Sequence, residues 1–133
     1  MPNNPHALDV LVVDDELLIR WSLNETLSAA GHSVTEAVDR ASAIQSLKDR
    51  RKPPDVVLLD YRLPDSNDLG LLATIRQLAP HAQVIMMTAF GTPEVIKDAI
   101  DLGAYQVVSK PFEVQDLAAL ILEARAAGRQ QAE

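Results

Sequence analysis

Polar residues stand where the apolar runs of this chain break off. Val10-Leu11-Val12-Val13 is followed at once by Asp14-Asp15-Glu16, and Val56-Val57-Leu58-Leu59 ends in Asp60. Val84-Ile85-Met86-Met87 ends in Thr88 and Ala89, and Tyr105 to Val108 leads into Ser109 and Lys110-Pro111. Each residue alone has a plainer reading. A carboxylate after a strand commonly caps the next helix, a lone lysine is a surface charge, and a lone threonine is a turn hydroxyl. Asp60 fits the plain reading worst, because an unpaired carboxylate so close to an apolar run is expensive to bury. Taken together, the types suggest one chemistry. Three carboxylates repel unless a cation sits among them. A donor set made only of oxygen favours a hard ion, Mg²⁺ before Zn²⁺. A metal, a lysine and a hydroxyl around one strand-end carboxylate would suit the handling of a phosphoryl group.

Such a cluster needs a scaffold that brings several strand ends to one edge. The runs are continuous rather than alternating in hydrophobicity, interrupted only by Gln106 in the last, as expected of parallel strands covered on both faces. Ser33 to Val38 is more polar and reads as an edge strand. Five helical segments alternate with the strands. Ile19, Leu23, Leu27 and Ala30 mark the first, and Gly31 stops it. Ala41, Ile44 and Leu47 mark the second, before Pro53-Pro54. Leu71, Leu72, Ile75 and Leu78 mark the third. The fourth opens with Thr92 as N-cap and Pro93 at its first position, shows Ile96, Ala99 and Ile100 on one face, and closes at Gly103. Leu117, Leu120, Ile121 and Ala124 mark the fifth. The βαβαβαβαβα order predicts a doubly wound α/β sheet, with ligands bound beyond the carboxyl ends of its strands.

The 133 residues suit one domain, and 47% are hydrophobic. The net charge of −7 argues against direct nucleic-acid binding by this stretch. The absence of cysteine excludes disulfides, thiolate metal sites and cysteine nucleophiles. No apolar run approaches the ~20 residues that span a bilayer, and MPNNPHALD is no signal peptide, so the expected location is cytoplasmic. His6, His32 and His81 have no ligand spacing and are expected at the surface. Trp21 is expected to pack on the first helix, and Arg50-Arg51-Lys52 to be a solvated helix end.

The motifs VLVVDDE, VVLLDYRLP, MMTAFG and VVSKPF, in this order, resemble those of two-component response-regulator receiver domains. The resemblance covers about Asp9 to Ala124. It implies a flavodoxin-like (βα)5 fold with strand order 2-1-3-4-5 in a single domain. Residues 1–8 would be a flexible N-terminus, 9–127 the receiver, and 128–133 a tail or the start of a linker. It further implies that Asp60 is the phospho-accepting nucleophile. Asp15, Asp60 and the backbone carbonyl of Arg62 would ligate Mg²⁺ directly, with Asp14 acting through water. Thr88, the backbone of Ala89 and Lys110 would receive the phosphoryl group, and the Lys110–Pro111 bond would be cis. Switching in the family pairs movement of the threonine, here Thr88, with an aromatic residue three before the lysine. That position is Val107, and the nearby aromatic, Tyr105, is expected on the same strand face. Asp68 replaces a common glycine and is expected to tolerate its left-handed backbone. Arg62 and Phe90, each two residues past a site residue, are expected to lean over the phosphoryl group.

The implied partner is a sensor histidine kinase. The implied output is a changed surface on helix 4, strand 5 and helix 5, where a homodimer forms on activation. DDELLIRWSL, LPDSNDLGLL and MTAFGTPEVIKDAIDLGAYQVVSKPF look most like receivers of NtrC-type regulators. In those, ATPase and DNA-binding domains follow and drive sigma-54-dependent transcription. The alternative is a stand-alone phosphorelay regulator. A flavin protein lacks support because acids stand where its phosphate loop would be. A dehalogenase-type phosphatase wants Asp-x-Asp, whereas Asp14 and Asp15 are adjacent. A degenerate receiver is disfavoured because all the acids and the lysine are present.

Overall fold

The computed structural model describes residues 7–132, with side chains to residue 128. Strands and helices alternate as β1 (Asp9–Val13), α1 (Leu17–Ala29), β2 (Ser33–Ala37), α2 (Arg40–Asp49), β3 (Val56–Asp60), α3 (Gly70–Leu78), β4 (Gln83–Thr88), α4 (Pro93–Asp101), β5 (Ala104–Ser109) and α5 (Val114–Ala132). All neighbours pair in parallel, in the order β2-β1-β3-β4-β5. The central strands β3 and β4 are buried along their whole length, as their unbroken apolar runs require. Edge strand β2 is largely exposed.

Two hydrophobic cores flank the sheet. Leu23 and Leu27 of α1 and Leu117, Ile121 and Ala124 of α5 pack on one face. Ala43, Leu71, Leu72, Ile75 and Ala99, from α2, α3 and α4, pack on the other. The helix stops act as their chemistry dictates. Gly31 and Gly103 take φ of 95° and 108°. A Cβ on Gly103 would also meet Arg76 Nε at 2.8 Å. Thr92 caps α4 by accepting from the Val95 N–H at 3.2 Å.

Several expectations are corrected. Tyr105 and Val107 lie on opposite faces of the sheet: Tyr105 packs with α1 and α5, Val107 with α2 to α4. The cause is a register shift between Val84↔Ala104 and Ile85↔Gln106, a bulge that inserts Tyr105 and breaks the two-residue alternation. His32 is buried, and its Nδ1 accepts from the Leu8 N–H at 2.9 Å. Trp21 is 59% exposed rather than packed. Arg50 is not simply solvated but pairs with Asp9, while Arg51 and Lys52 are exposed. No non-glycine residue among those described has a positive φ, so Asp68 is not left-handed. Its carboxylate instead accepts from the Gly70 N–H at 2.8 Å, a local turn that does the work of the missing glycine. Only Ala99 of the expected α4 face is buried; Ile96 and Ile100 remain substantially exposed, as do Ala41 and Leu78. His81 is exposed, and His6 lies outside the described residues.

Candidate functional site

The carboxyl ends of β1, β3, β4 and β5 deliver their polar residues to one edge of the sheet. Asp14 follows β1 and is fully buried, held on every side. Its N–H donates to the Ala37 carbonyl at 3.1 Å, and its carbonyl accepts from Arg20 Nη1 at 2.9 Å. Its Oδ1 accepts from the Glu16 N–H at 2.9 Å, and its Oδ2 accepts from Lys110 Nζ at 2.9 Å. Asp60 ends β3 and is 7% exposed, whereas Asp15 is open to solvent. Carboxylate oxygens of Asp14, Asp15 and Asp60 lie within 4.8 Å of one another.

Lys110 is the cation of the cluster. Its Nζ donates to Asp14 Oδ2 and to Glu16 Oε1 at 3.1 Å, and pairs with Asp60 Oδ2 at 3.2 Å. Burial alone would lower its pKa, but the bonds to Asp14 and the charges of Asp14 and Asp60 outweigh that and raise it. It therefore stays charged. Asp60 moves upward, to about 6, first because burial penalises its charge and second because Asp14 is beside it. Lys110 and the Arg62 N–H, 3.4 Å from Oδ1, offset only part of this. One ammonium among four carboxylates leaves the cluster short of positive charge. The oxygen-only donors and their crowding fit a hard divalent cation.

A cleft of about 280 Å³ opens above these groups, lined by Asp15, Glu16, Asp60, Arg62, Thr88, Ala89, Phe90 and Lys110. Thr88 is buried, its Oγ1 accepting from the Phe90 N–H at 2.9 Å. The Lys110 N–H donates to the Thr88 carbonyl at 2.8 Å, and the Lys110–Pro111 bond is cis. The Arg62 guanidinium lies 4.5 Å from the centroid of the Phe90 ring, so the two side chains stack on each other at the wall of the cleft.

The structure thus gathers Asp14, Asp15, Asp60, Arg62, Thr88, Ala89 and Lys110 around one cleft. Val107 sits behind it in the α2–α4 core, and Tyr105 lies on the far face of the sheet. Two residues that hold the site's loops have no motif of their own. Arg20 of α1 binds the Asp14 carbonyl. Asp65, in the loop after β3, accepts from the N–H groups of Arg40 and Ala41 at 2.7 and 3.2 Å. The sequence signal for Arg20 is a cation in the first turn of a helix, where the macrodipole disfavours it. Asp65 has no local signal, because its partners lie 24 and 25 residues away.

A five-stranded parallel sheet with an acidic cluster and a lysine at its carboxyl edge defines a doubly wound α/β domain with a charged site at its strand ends. Residues 10–122 match the response regulator receiver domain family, and the chain belongs to it. It is a receiver domain of a two-component response regulator. It is 38% identical over 112 residues to the DNA-binding transcriptional regulator NtrC of Escherichia coli (strain K12), covering 84% of this chain and 24% of that protein. It is 32% identical over 108 residues to sporulation initiation phosphotransferase F of Bacillus subtilis (strain 168), covering 81% of this chain and 86% of that protein. Among solved structures it is similar to NtrX from Brucella abortus, with a TM-score of 0.84 and 35% identity, covering 95% of this chain and 28% of that one. A CheY-like receiver from Methanospirillum hungatei JF-1 gives a TM-score of 0.87 at 25% identity, covering 94% of this chain and 98% of that one. The chain therefore spans about a quarter of the NtrC proteins it matches. Among the described residues no helix is long and apolar enough to cross a membrane.

Proposed function

We propose that Asp60 accepts a phosphoryl group from the phosphohistidine of a sensor histidine kinase. The supporting observation is the convergence of Asp14, Asp15, Asp60 and Lys110 at one sheet edge. An Asp60 carboxylate oxygen attacks phosphorus. The P–N bond breaks, the imidazole nitrogen keeps the electron pair, and an aspartyl phosphate remains. Attack of an anion on an anion needs charge neutralisation and alignment more than proton transfer. Asp15, Asp60 and the Arg62 carbonyl would hold Mg²⁺ directly, and Asp14 through water. Such an ion would supply positive charge to the phosphoryl oxygens. Lys110, Thr88 and the Ala89 N–H receive the transferred group, and the Arg62–Phe90 stack shields it from water. Later attack by water returns the free carboxylate, so the domain turns over its own phosphoryl group without acting on another substrate.

The output surface is α4, β5 and α5, where exposed Ile96, Ile100 and Leu102 provide an apolar patch for a dimer. The similarity to NtrC supports C-terminal ATPase and DNA-binding effector domains, transcriptional control and a cytoplasmic setting. A second reading, a stand-alone phosphorelay protein, is supported by the 86% coverage of the sporulation phosphotransferase. Acetyl phosphate with Mg²⁺ tests the central reading. Intact mass should show one added phosphoryl group, lost in Asp60→Asn. Labelling that survives in the variant overturns the assignment.

A further inference from the structure

We infer that Arg20 is a positioning residue of the acidic site: it fixes the loop bearing Asp14 and Asp15 by tying it to β2. This rests on the cation-site reading above. Arg20 Nη1 donates to the Asp14 carbonyl at 2.9 Å, and its Nε donates to Glu36 Oε1, also at 2.9 Å. The side chain is 13% exposed. Glu36 is held in turn by Asn24 Nδ2 at 2.7 Å, and Asn24 by the Ser28 hydroxyl at 2.7 Å. A chain of hydrogen bonds thus runs from the outer face of α1, through the end of β2, to the backbone of the buried carboxylate.

The local structure of α1 supports a role outside the helix. Its first turn has no acidic residue, and its N-cap, Glu16, makes no side-chain capping bond. Glu16 instead directs its carboxylate to Lys110. A cation in the first turn opposes the macrodipole, and an uncapped N-terminus leaves backbone donors without side-chain partners. Both features weaken α1 and both serve the cleft, as expected where function overrides local preference. Arg20 also replaces a ladder partner: β1 ends at Val13, so the Asp14 carbonyl needs a donor from elsewhere. The planar guanidinium holds its two acceptors through separate nitrogens, Nη1 and Nε, in a fixed geometry that the single nitrogen of a lysine does not reproduce.

The sign of the effect on cation binding tests this. A bystander cation near an acidic site repels Mg²⁺, so its removal should tighten binding. A positioning residue, when removed, lets the ligands drift and weakens binding, by about tenfold for the loss of a supporting group. Calorimetric titration of the folded protein with Mg²⁺ is compared for the parent, Arg20→Ala, Arg20→Lys and Glu36→Gln. The expected order of affinity is parent, then Glu36→Gln, then Arg20→Lys, then Arg20→Ala. Glu36→Gln keeps an acceptor and so guards against misfolding of the arginine variants. Unchanged or tighter binding in Arg20→Ala, with its melting transition intact above the titration temperature, overturns the inference alone. No Mg²⁺ binding by the parent overturns the cation-site reading and this inference with it.

Discussion

Asp60→Asn should stabilise the metal-free protein. The Asp60 carboxyl is pushed from 3.8 to about 6 by burial and by Asp14. A raised carboxyl withholds stability: the folded state resists ionisation more than the unfolded state does. The cost is absent below the unfolded value, grows between 3.8 and about 6, and is full above that. A shift of about two units corresponds to about 3 kcal/mol at neutral pH before solvent screening. The cleft is open at its mouth, so about 1–2 kcal/mol is the expected net gain from a neutral isostere. For a domain of this size that raises Tm by about 4–8 °C. Asparagine keeps one oxygen, which can face Lys110; the contact given up is the Arg62 N–H, already long at 3.4 Å, so the loss is small.

The assay is thermal unfolding of parent and variant in EDTA at pH 7 and at about pH 4. At the lower pH Asp60 is protonated in the folded state and only about half ionised in the unfolded state, so the gain should shrink to about a quarter or less. A variant that melts below the parent at pH 7 refutes the crowding argument. So does a gain of equal size at both pH values, which would point to packing rather than charge.

The Tm rise given by Mg²⁺ should weaken as pH falls, because a proton on Asp60 competes with the ion. Apparent affinity should be about tenfold lower at pH 5 than at pH 7, and an equal Tm shift at both would refute this. His32 is held neutral by burial, with its Nδ1 already an acceptor, and its pKa is lowered from 6.5. Its contribution is present above that value and lost as pH falls through the lowered one; the stability difference between parent and His32→Asn should narrow over that window in denaturant titrations. Arg62→Ala combined with Phe90→Ala should speed phosphate release from the purified phosphoprotein, because the stack at the cleft wall is gone; release no faster than the parent's refutes the shielding. Beryllofluoride with Mg²⁺ should change amide exchange in α4, β5 and α5, and changes confined to α1 and α2 would exclude those elements as the output face.

The elements that the sequence made legible are those governed by local rules. Unbroken apolar runs marked β1, β3 and β4, a run interrupted by Gln106 marked edge strand β5, and glycine or proline punctuation marked the ends of α1 and α4. The acidic cluster was legible for a related reason, since each polar residue interrupts or ends an apolar run at a strand's carboxyl end. Features set by distant partners were not legible. The bulge at Ala104 and Tyr105 has no glycine to announce it, yet it moves Tyr105 to the opposite face from Val107. His32 looks like a turn residue until Leu8, 24 residues earlier, is laid beside it. Asp65 reads as an ordinary loop acid, and only the fold places it at the first N–H groups of α2.

Lys110 shows how the cleft can report its own state. An ammonium has three donors, and those of Lys110 face Asp14, Glu16 and Asp60. On the proposed reaction, Asp60 exchanges one carboxylate charge for a phosphoryl group carrying about −1.5 to −2. That group cannot engage Lys110 unless the ammonium gives up a present partner. Asp14 is fully buried and bonded at every polar atom, so it is the costliest to abandon. Glu16 is mostly solvated and the cheapest. On that reaction the exchange would fall on the Glu16 and Asp60 contacts, and Lys110 would shift toward the Thr88 side of the cleft. Its backbone N–H is bonded to the Thr88 carbonyl, and Thr88 is bonded through its hydroxyl to Phe90 at the start of the loop into α4. A change of partners at one ammonium would thus pull directly on β5 and on the entry to α4, without requiring a rotamer change at Val107.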